Sequence, residues 1–179
     1  MSLGTLDLQP ALDHPDLLAR PVATAVLGLA GVLVAPIDPE LADTAAFCEK
    51  YDVGLEVSAN CVIVAGKRGD AVTYAACILL ATTRLDVNGV VRGLLDARKA
   101  SFAPMDDAVA LTGMEYGGIT PLGLPVDWPV FIDSRVVGLP LAIVGSGVRR
   151  SKIALPGATL AELPHAQVIV GLAKEKGEG

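Results

Sequence analysis

Aromatic side chains are scarce in this chain: three Phe, three Tyr and one Trp, 4% of 179 residues. With a hydrophobic content of 52%, its interior has to be filled by Ala, Val, Leu and Ile. Cysteine is equally sparse. Cys48, Cys61 and Cys77 are scattered without a C-x-x-C, which argues against a disulfide framework and for a reducing, cytoplasmic setting. His14 and His165 are the only histidines, and neither has Cys or carboxylate neighbours at ligand spacing. No metal site and no cofactor are therefore expected. Long apolar runs are missing too. The longest candidate, 22–36, is short and broken by Thr24, Gly28 and Gly31, so no membrane span is expected, and no basic N-terminal region suggests a signal peptide. Positive charge is in deficit: 14 Lys and Arg stand against 20 Asp and Glu, for a net charge of -6. Such a chain does not wrap a long duplex through a general positive field. It can still meet the end of a nucleic acid through a local cluster, and three exist: Lys67-Arg68, Arg98-Lys99, and Arg149-Arg150 with Lys152.

The length suits one domain with a filled core, and a charged content of 19% marks it as globular. The pattern predicts helices over 12–29, 39–51, 87–97 and 105–111, with Asp86 as an N-cap and Gly113 as a stop. Strands are expected at 32–37, 60–65, 73–81, 100–103, 129–133, 140–144, 151–155 and 167–172, and a short helix at 158–163. Lys67-Arg68-Gly69-Asp70 between two apolar runs reads as a hairpin turn. Strands outnumber helices and often share short turns. The expected class is α+β, a single domain with a large mixed β-sheet flanked by helices. Residues 4–43 read as an N-terminal helical and strand segment packed on a core at 44–172. Residues 1–3 and 178–179 read as cloning remnants and carry no argument.

Two glycine segments stand out. Gly117-Gly118-Ile119-Thr120-Pro121 places two glycines and a proline where backbone N–H groups can gather on one side and hold a carboxylate, a phosphate or a developing oxyanion. Gly145-Ser146-Gly147-Val148-Arg149-Arg150 follows an apolar strand, with glycines that admit a sugar or phosphate and arginines that suit phosphate oxygens. On spacing alone, plain turns explain both segments better. Arg84, at a polar strand-to-helix junction, can face an anionic substrate or simply flank a capped helix start. Tyr116 and Phe102 are candidates for a pocket wall. No G-x-S-x-G surrounds any serine, and Cys61 lies in an apolar run, so a side-chain nucleophile has little support.

Taken in order, Leu111-Thr112-Gly113, Gly117 to Gly123, Pro129-Val130-Phe131-Ile132-Asp133 and Gly145-Ser146-Gly147 with Arg149 and Arg150 resemble the YbaK family, the editing domains related to the insertion domain of bacterial prolyl-tRNA synthetase. The resemblance covers about 44–172. It implies hydrolysis of the aminoacyl ester of a mischarged tRNA, held by its acceptor end, without a metal. It assigns Gly117, Gly118, Ile119, Thr120 and Pro121 to the substrate carbonyl, and Gly145, Ser146 and Gly147 to the terminal ribose, with Arg149 or Arg150 near phosphate. Family members carry a lysine early in the first long strand, where it helps place the adenosine and the ester. Here that position reads Asn60. Asparagine keeps hydrogen bonding and loses the charge. Two expectations follow: a deacylase assisted by the substrate's own hydroxyl, with another cation such as Arg84, Lys99 or Arg149 taking over the phosphate role, or a module that binds an acylated nucleotide without turnover.

Overall fold

Apolar residues at both parities of the two longest strands require a sheet covered on both faces. The computed structural model, which describes residues 3–177, shows this. Strands β1 (Gln9–Pro10), β2 (Leu33–Pro36), β3 (Ala59–Arg68), β4 (Ala71–Leu80), β5 (Thr83–Leu85) and β6 (Lys99–Phe102) precede β7 (Val130–Asp133), β8 (Ala142–Gly145), β9 (Ser151–Leu155), β10 (Ala166–Ile169) and β11 (Ala173–Glu175). The five-stranded sheet runs β10-β7-β4-β3-β6, with β7 parallel to both neighbours and the other pairs antiparallel. A four-stranded antiparallel sheet, β1-β2-β9-β8, packs beside it, and a parallel bridge between Ser58 and Ile143 links the two. β11 and β5 form a small pair of their own. The fold is mixed α+β, with its large mixed sheet as expected.

β3 and β4 meet in register from Ala59↔Leu80 to Arg68↔Ala71, leaving a two-residue turn with Gly69 at φ +61°. That turn suits the twist of the strands. Ile63, Ala76 and Ile78 face one core with Val130 and Ile132. Val64, Ala75, Cys77 and Leu79 face the other, with Val91, Phe131 and Leu172. A third cluster, around Phe47, Cys48, Ile143 and Ala154, joins the four-stranded sheet to a helix.

The helices are shorter than periodicity predicts. Pro15 and Pro21 lack the N–H that a continuous helix over 12–29 would need, so the segment forms two 3-10 turns and then α1 (Arg20–Val26). The expected helix over 39–51 splits into a 3-10 turn at Pro39–Leu41 and α2 (Thr44–Tyr51). Asp38 caps the first piece, accepting from Glu40 N at 3.0 Å. This break sets the N-terminus of α2 at the start of β3. Asp86 caps the next element as foreseen, accepting from Gly89 N at 3.0 Å, but Val87–Val91 is a π-helical turn that tightens into α3 (Arg92–Leu94). α4 (Met105–Thr112) ends at Gly113, φ +70°. Two short helices, α5 (Ser134–Val137) and α6 (Gly157–Leu160), complete the fold. Among the described residues no helix is long and apolar enough to cross a membrane.

Candidate active site

The two glycine segments are two halves of one device. Gly147 N donates to the Gly118 carbonyl at 2.7 Å, and Glu115 N donates to the Gly147 carbonyl at 2.9 Å. Glu115 Oε1 accepts from Arg149 N at 3.0 Å. A Cβ on Gly145 would lie 2.5 Å from the Gly118 carbonyl oxygen, and one on Gly118 would lie 2.8 Å from the Val148 backbone. Only bare backbone allows this approach. A side chain at Gly118 therefore pushes backbone against backbone and disturbs both turns.

In front of this device lies a cleft of about 300 Å³. Ala42, Asp43 and Thr44 from the start of α2 form one wall. Asn60, with Ala59, Cys61 and Val62, forms the next. Tyr116, Gly117 and Ile119 of the loop, Gly145 at the end of β8 and Lys152 near the start of β9 close it. Thr44 Oγ1 donates to Asn60 Oδ1 at 2.8 Å, which leaves the Asn60 amide nitrogen to donate elsewhere. Among the described residues, the backbone amides of Gly117 and Ile119 have no intramolecular acceptor. Both belong to residues that line the cleft.

Several candidates fall elsewhere. Thr120 is fully buried, its N–H is directed at Met114 Sδ (3.5 Å), and its hydroxyl has no partner among the described residues. Pro121 lines a separate apolar cavity behind the loop, with Leu124, Pro125 and Trp128. Ser146 is also fully buried. Its hydroxyl lies 3.1 Å from the carbonyls of both Val148 and Ser151 and accepts from Ser151 Oγ at 2.6 Å, so it pins the turn from inside and is not free to meet a ribose. Gly147 (φ +86°) packs on Ala19 and Val22 for the same reason. Arg150 Nη2 donates to the Asp16 carbonyl at 2.7 Å, tying down the N-terminal segment away from the cleft. Arg84 and Phe102 share a different surface depression. Arg149 does reach the cleft's rim: Nε donates to the Pro39 carbonyl at 3.1 Å, Nη1 to the Tyr116 carbonyl at 3.2 Å, and Nη1 lies 3.6 Å from Asp43 Oδ1.

Sequence reasoning placed Lys152 in a basic surface cluster, whereas it is 9% exposed and opens onto the cleft. Its strand neighbours across the sheet are Ala35 and Gly145. The ammonium sits 5.3 Å from the centroid of the Phe47 ring. Burial depresses its pKa below the ordinary lysine range; Cys48 and Asp43 pull it back up and Arg149 pushes it further down. The overlooked signal is a single lysine in Ser151-Lys152-Ile153-Ala154-Leu155, a strand whose every member is buried. Cys61 offers no thiolate, because burial, followed by Cys77, drives its pKa far up; burial also pushes Cys77 up to about 12. Among the described residues no group of three or more His, Cys, Asp or Glu is assembled to hold a metal.

The family profile of the aminoacyl-tRNA editing domain matches residues 38–163, and the chain belongs to that family. Among solved structures, it resembles a candidate trans-editing enzyme for prolyl-tRNA synthetase, with a TM-score of 0.73 at 21% identity over 88% of this chain and 96% of that one. A scaffold protein used for computational epitope grafting superposes equally well, at 0.73 and 22% identity over 88% and 97%. A hypothetical protein follows at 0.67 and 20% identity over 80% and 90%. No curated protein matches the chain.

Proposed function

We propose that this chain is a trans-acting editing enzyme of the cytoplasm that removes wrongly attached amino acids from tRNA and so guards translation fidelity. Family membership supplies the substrate class, an aminoacyl-tRNA acceptor end. The observation that carries the reading is one cleft holding two amides without intramolecular acceptors, at Gly117 and Ile119, with Asn60 and Lys152.

The chemistry is ester hydrolysis. A water oxygen adds to the acyl carbon, the bond from that carbon to the ribose oxygen breaks, and the water's proton ends on the departing ribose oxygen. The neighbouring ribose hydroxyl is held close enough by the ester itself to relay that proton. The products are a free amino acid and a tRNA with both terminal hydroxyls free. Water is the nucleophile in this scheme because Cys61 stays protonated and Ser146 is sealed in its turn. Gly117 and Ile119 N–H groups receive the charge developing on the acyl oxygen, in a partly enclosed site where such donors count for more than in water. Asn60, braced by Thr44, orients the ester or the terminal nucleotide. Tyr116 (59% exposed) flanks the acyl group at the mouth, and Arg149 lies at the rim where phosphate would pass.

The test is hydrolysis of mischarged tRNAs, beginning with alanyl- and cysteinyl-tRNA for proline, with prolyl-tRNA as control. Faster release from the mischarged species supports the reading. Retention of the ester in every case, together with saturable binding, favours the alternative suggested by Asn60: a module that holds acylated nucleotides without turnover.

A further inference from the structure

A lysine this deeply buried is unusual unless it is paired. Among the described residues no carboxylate lies within ion-pairing distance of Lys152, and no carbonyl or hydroxyl accepts its hydrogen bonds. Its ammonium lies over the face of Phe47. Asp43 lies in the same cleft but is engaged at its rim with Arg149, at 3.6 Å. The ammonium opens onto the cleft, and a largely desolvated cation with three free donor positions carries a folding cost. Such a group calls for an explanation, and an anionic or strongly polar ligand atom is the direct one.

Three placements narrow what that atom is. Lys152 shares its cleft with Gly117 and Ile119, whose amides also have no intramolecular acceptor. It shares that cleft with Asn60 as well, the position where the family resemblance expects a lysine on β3. It is 9% exposed, whereas Arg149 stands at the mouth. A cleft of about 300 Å³ has room for the acyl end of a substrate. Resting on the editing reading above, we infer that the cleft's cation has moved from β3 to β9: Lys152 donates to the acyl oxygen of the bound aminoacyl ester and stabilises the negative charge that gathers there. The ammonium gains an ion-pair partner only as that charge appears, so its contribution is larger in the transition state than in the ground state.

The test compares wild type, Lys152→Met and Lys152→Arg on the mischarged tRNA that wild type hydrolyses fastest, with thermal melting of each protein. The expected result for Lys152→Met is a loss of ~10²–10³-fold in kcat, KM within about threefold, and a melting temperature equal to or above wild type. Lys152→Arg, which keeps the charge, retains more turnover than Lys152→Met. A kcat within threefold of wild type in Lys152→Met overturns the assignment and leaves the editing reading standing. A rise in KM alone overturns it too, because that result moves Lys152 to ground-state anchoring of the nucleotide. If Lys152→Met does not fold, Lys152→Gln is read by the same criteria. No hydrolysis by wild type on any mischarged tRNA overturns both this assignment and the reading it rests on.

Discussion

Among the described residues two side chains that carry charge are buried, and they are treated in opposite ways. Asp133, 1% exposed at the end of β7, is surrounded by donors: Arg135 N at 3.0 Å, Arg135 Nε at 2.9 Å and Nη2 at 3.1 Å, and Ala173 N at 3.1 Å. Burial pushes its carboxyl pKa up, but these hydrogen bonds and the guanidinium outweigh it and hold the pKa below the usual range. Lys152, near the start of β9, has an aromatic face and, among the described residues, no hydrogen-bond acceptor. The Asp133 charge stitches β7, α5 and β11 into one unit. The Lys152 charge stitches nothing, and its burial works against the fold. A buried charge that the protein fully satisfies is structural. One left bare beside a cleft is held for a ligand.

The largest effect that would break this contrast is catalytic. If Lys152 were structural like Asp133, Lys152→Met would lose stability along with any loss of turnover; the expected outcome is the kcat loss given above with no fall in melting temperature. Next comes Asp133→Ala, which leaves the Ala173 amide without its acceptor and takes the buried carboxylate from Arg135, though Arg135 keeps Glu175 Oε1 and the Ala173 carbonyl, and is expected to cost ~3 kcal/mol in urea unfolding. A change under about 1 kcal/mol would mean that the Asp133 network is not the staple described. The double variant Asn60→Lys with Lys152→Met returns the cation to β3. It is expected to recover at least ~10-fold in kcat over Lys152→Met alone, an oxyanion donor being worth ~10²–10³. No recovery would mean that the cleft needs its cation on β9.

The pH dependence sharpens the contrast in sign. The Asp133 pKa is depressed by folding, so its stabilisation is present above the unfolded carboxyl value, about 3.9, and is lost as pH falls through the lower folded value. The Lys152 pKa is also depressed, but for a base this is a penalty. It is present below the folded value and relieved as pH rises through it toward the unfolded value of about 10.4. Melting curves should therefore show Asp133→Ala converging with wild type in acid, and wild type gaining on Lys152→Met in alkali. The smallest effect belongs to an exposed pair, Arg68 with Asp96 at 3.2 Å, whose side chains are 57% and 89% exposed. Arg68→Ala is expected to change stability by under about 0.5 kcal/mol and to leave turnover unchanged.

Much of this was legible in the chain. The β3–β4 hairpin, the Asp86 cap, the Gly113 stop and the mixed α+β class all follow from local pattern, because apolar runs bounded by turn residues, cap side chains and glycine's backbone freedom act over a few residues. The two- to four-residue elements β1, β5, β11 and α5 were not foreseen: too short to show a period, they exist because neighbours pair with them. Gly117, Ile119, Tyr116, Gly145 and Asn60, singled out from motif order, line one cleft in the structure. Thr120, Pro121 and Ser146 were grouped with them by adjacency, yet successive residues of a tight turn face different ways, and these three face inward or behind.

By itself the sequence determined the α+β class, the covered central hairpin and the backbone-lined loop, since composition, apolar runs and glycine placement are local properties of the chain. Only the tertiary structure decided which cation serves the cleft. Arg84, Lys99, Arg149 and Lys152 are equal as letters. Pairing β9 between β2 and β8 turns Lys152 onto the ring of Phe47 and into the cleft, while Arg84 and Lys99 stay at other surfaces. Burial and solvation belong to the assembled fold, and no run of residues carries them alone.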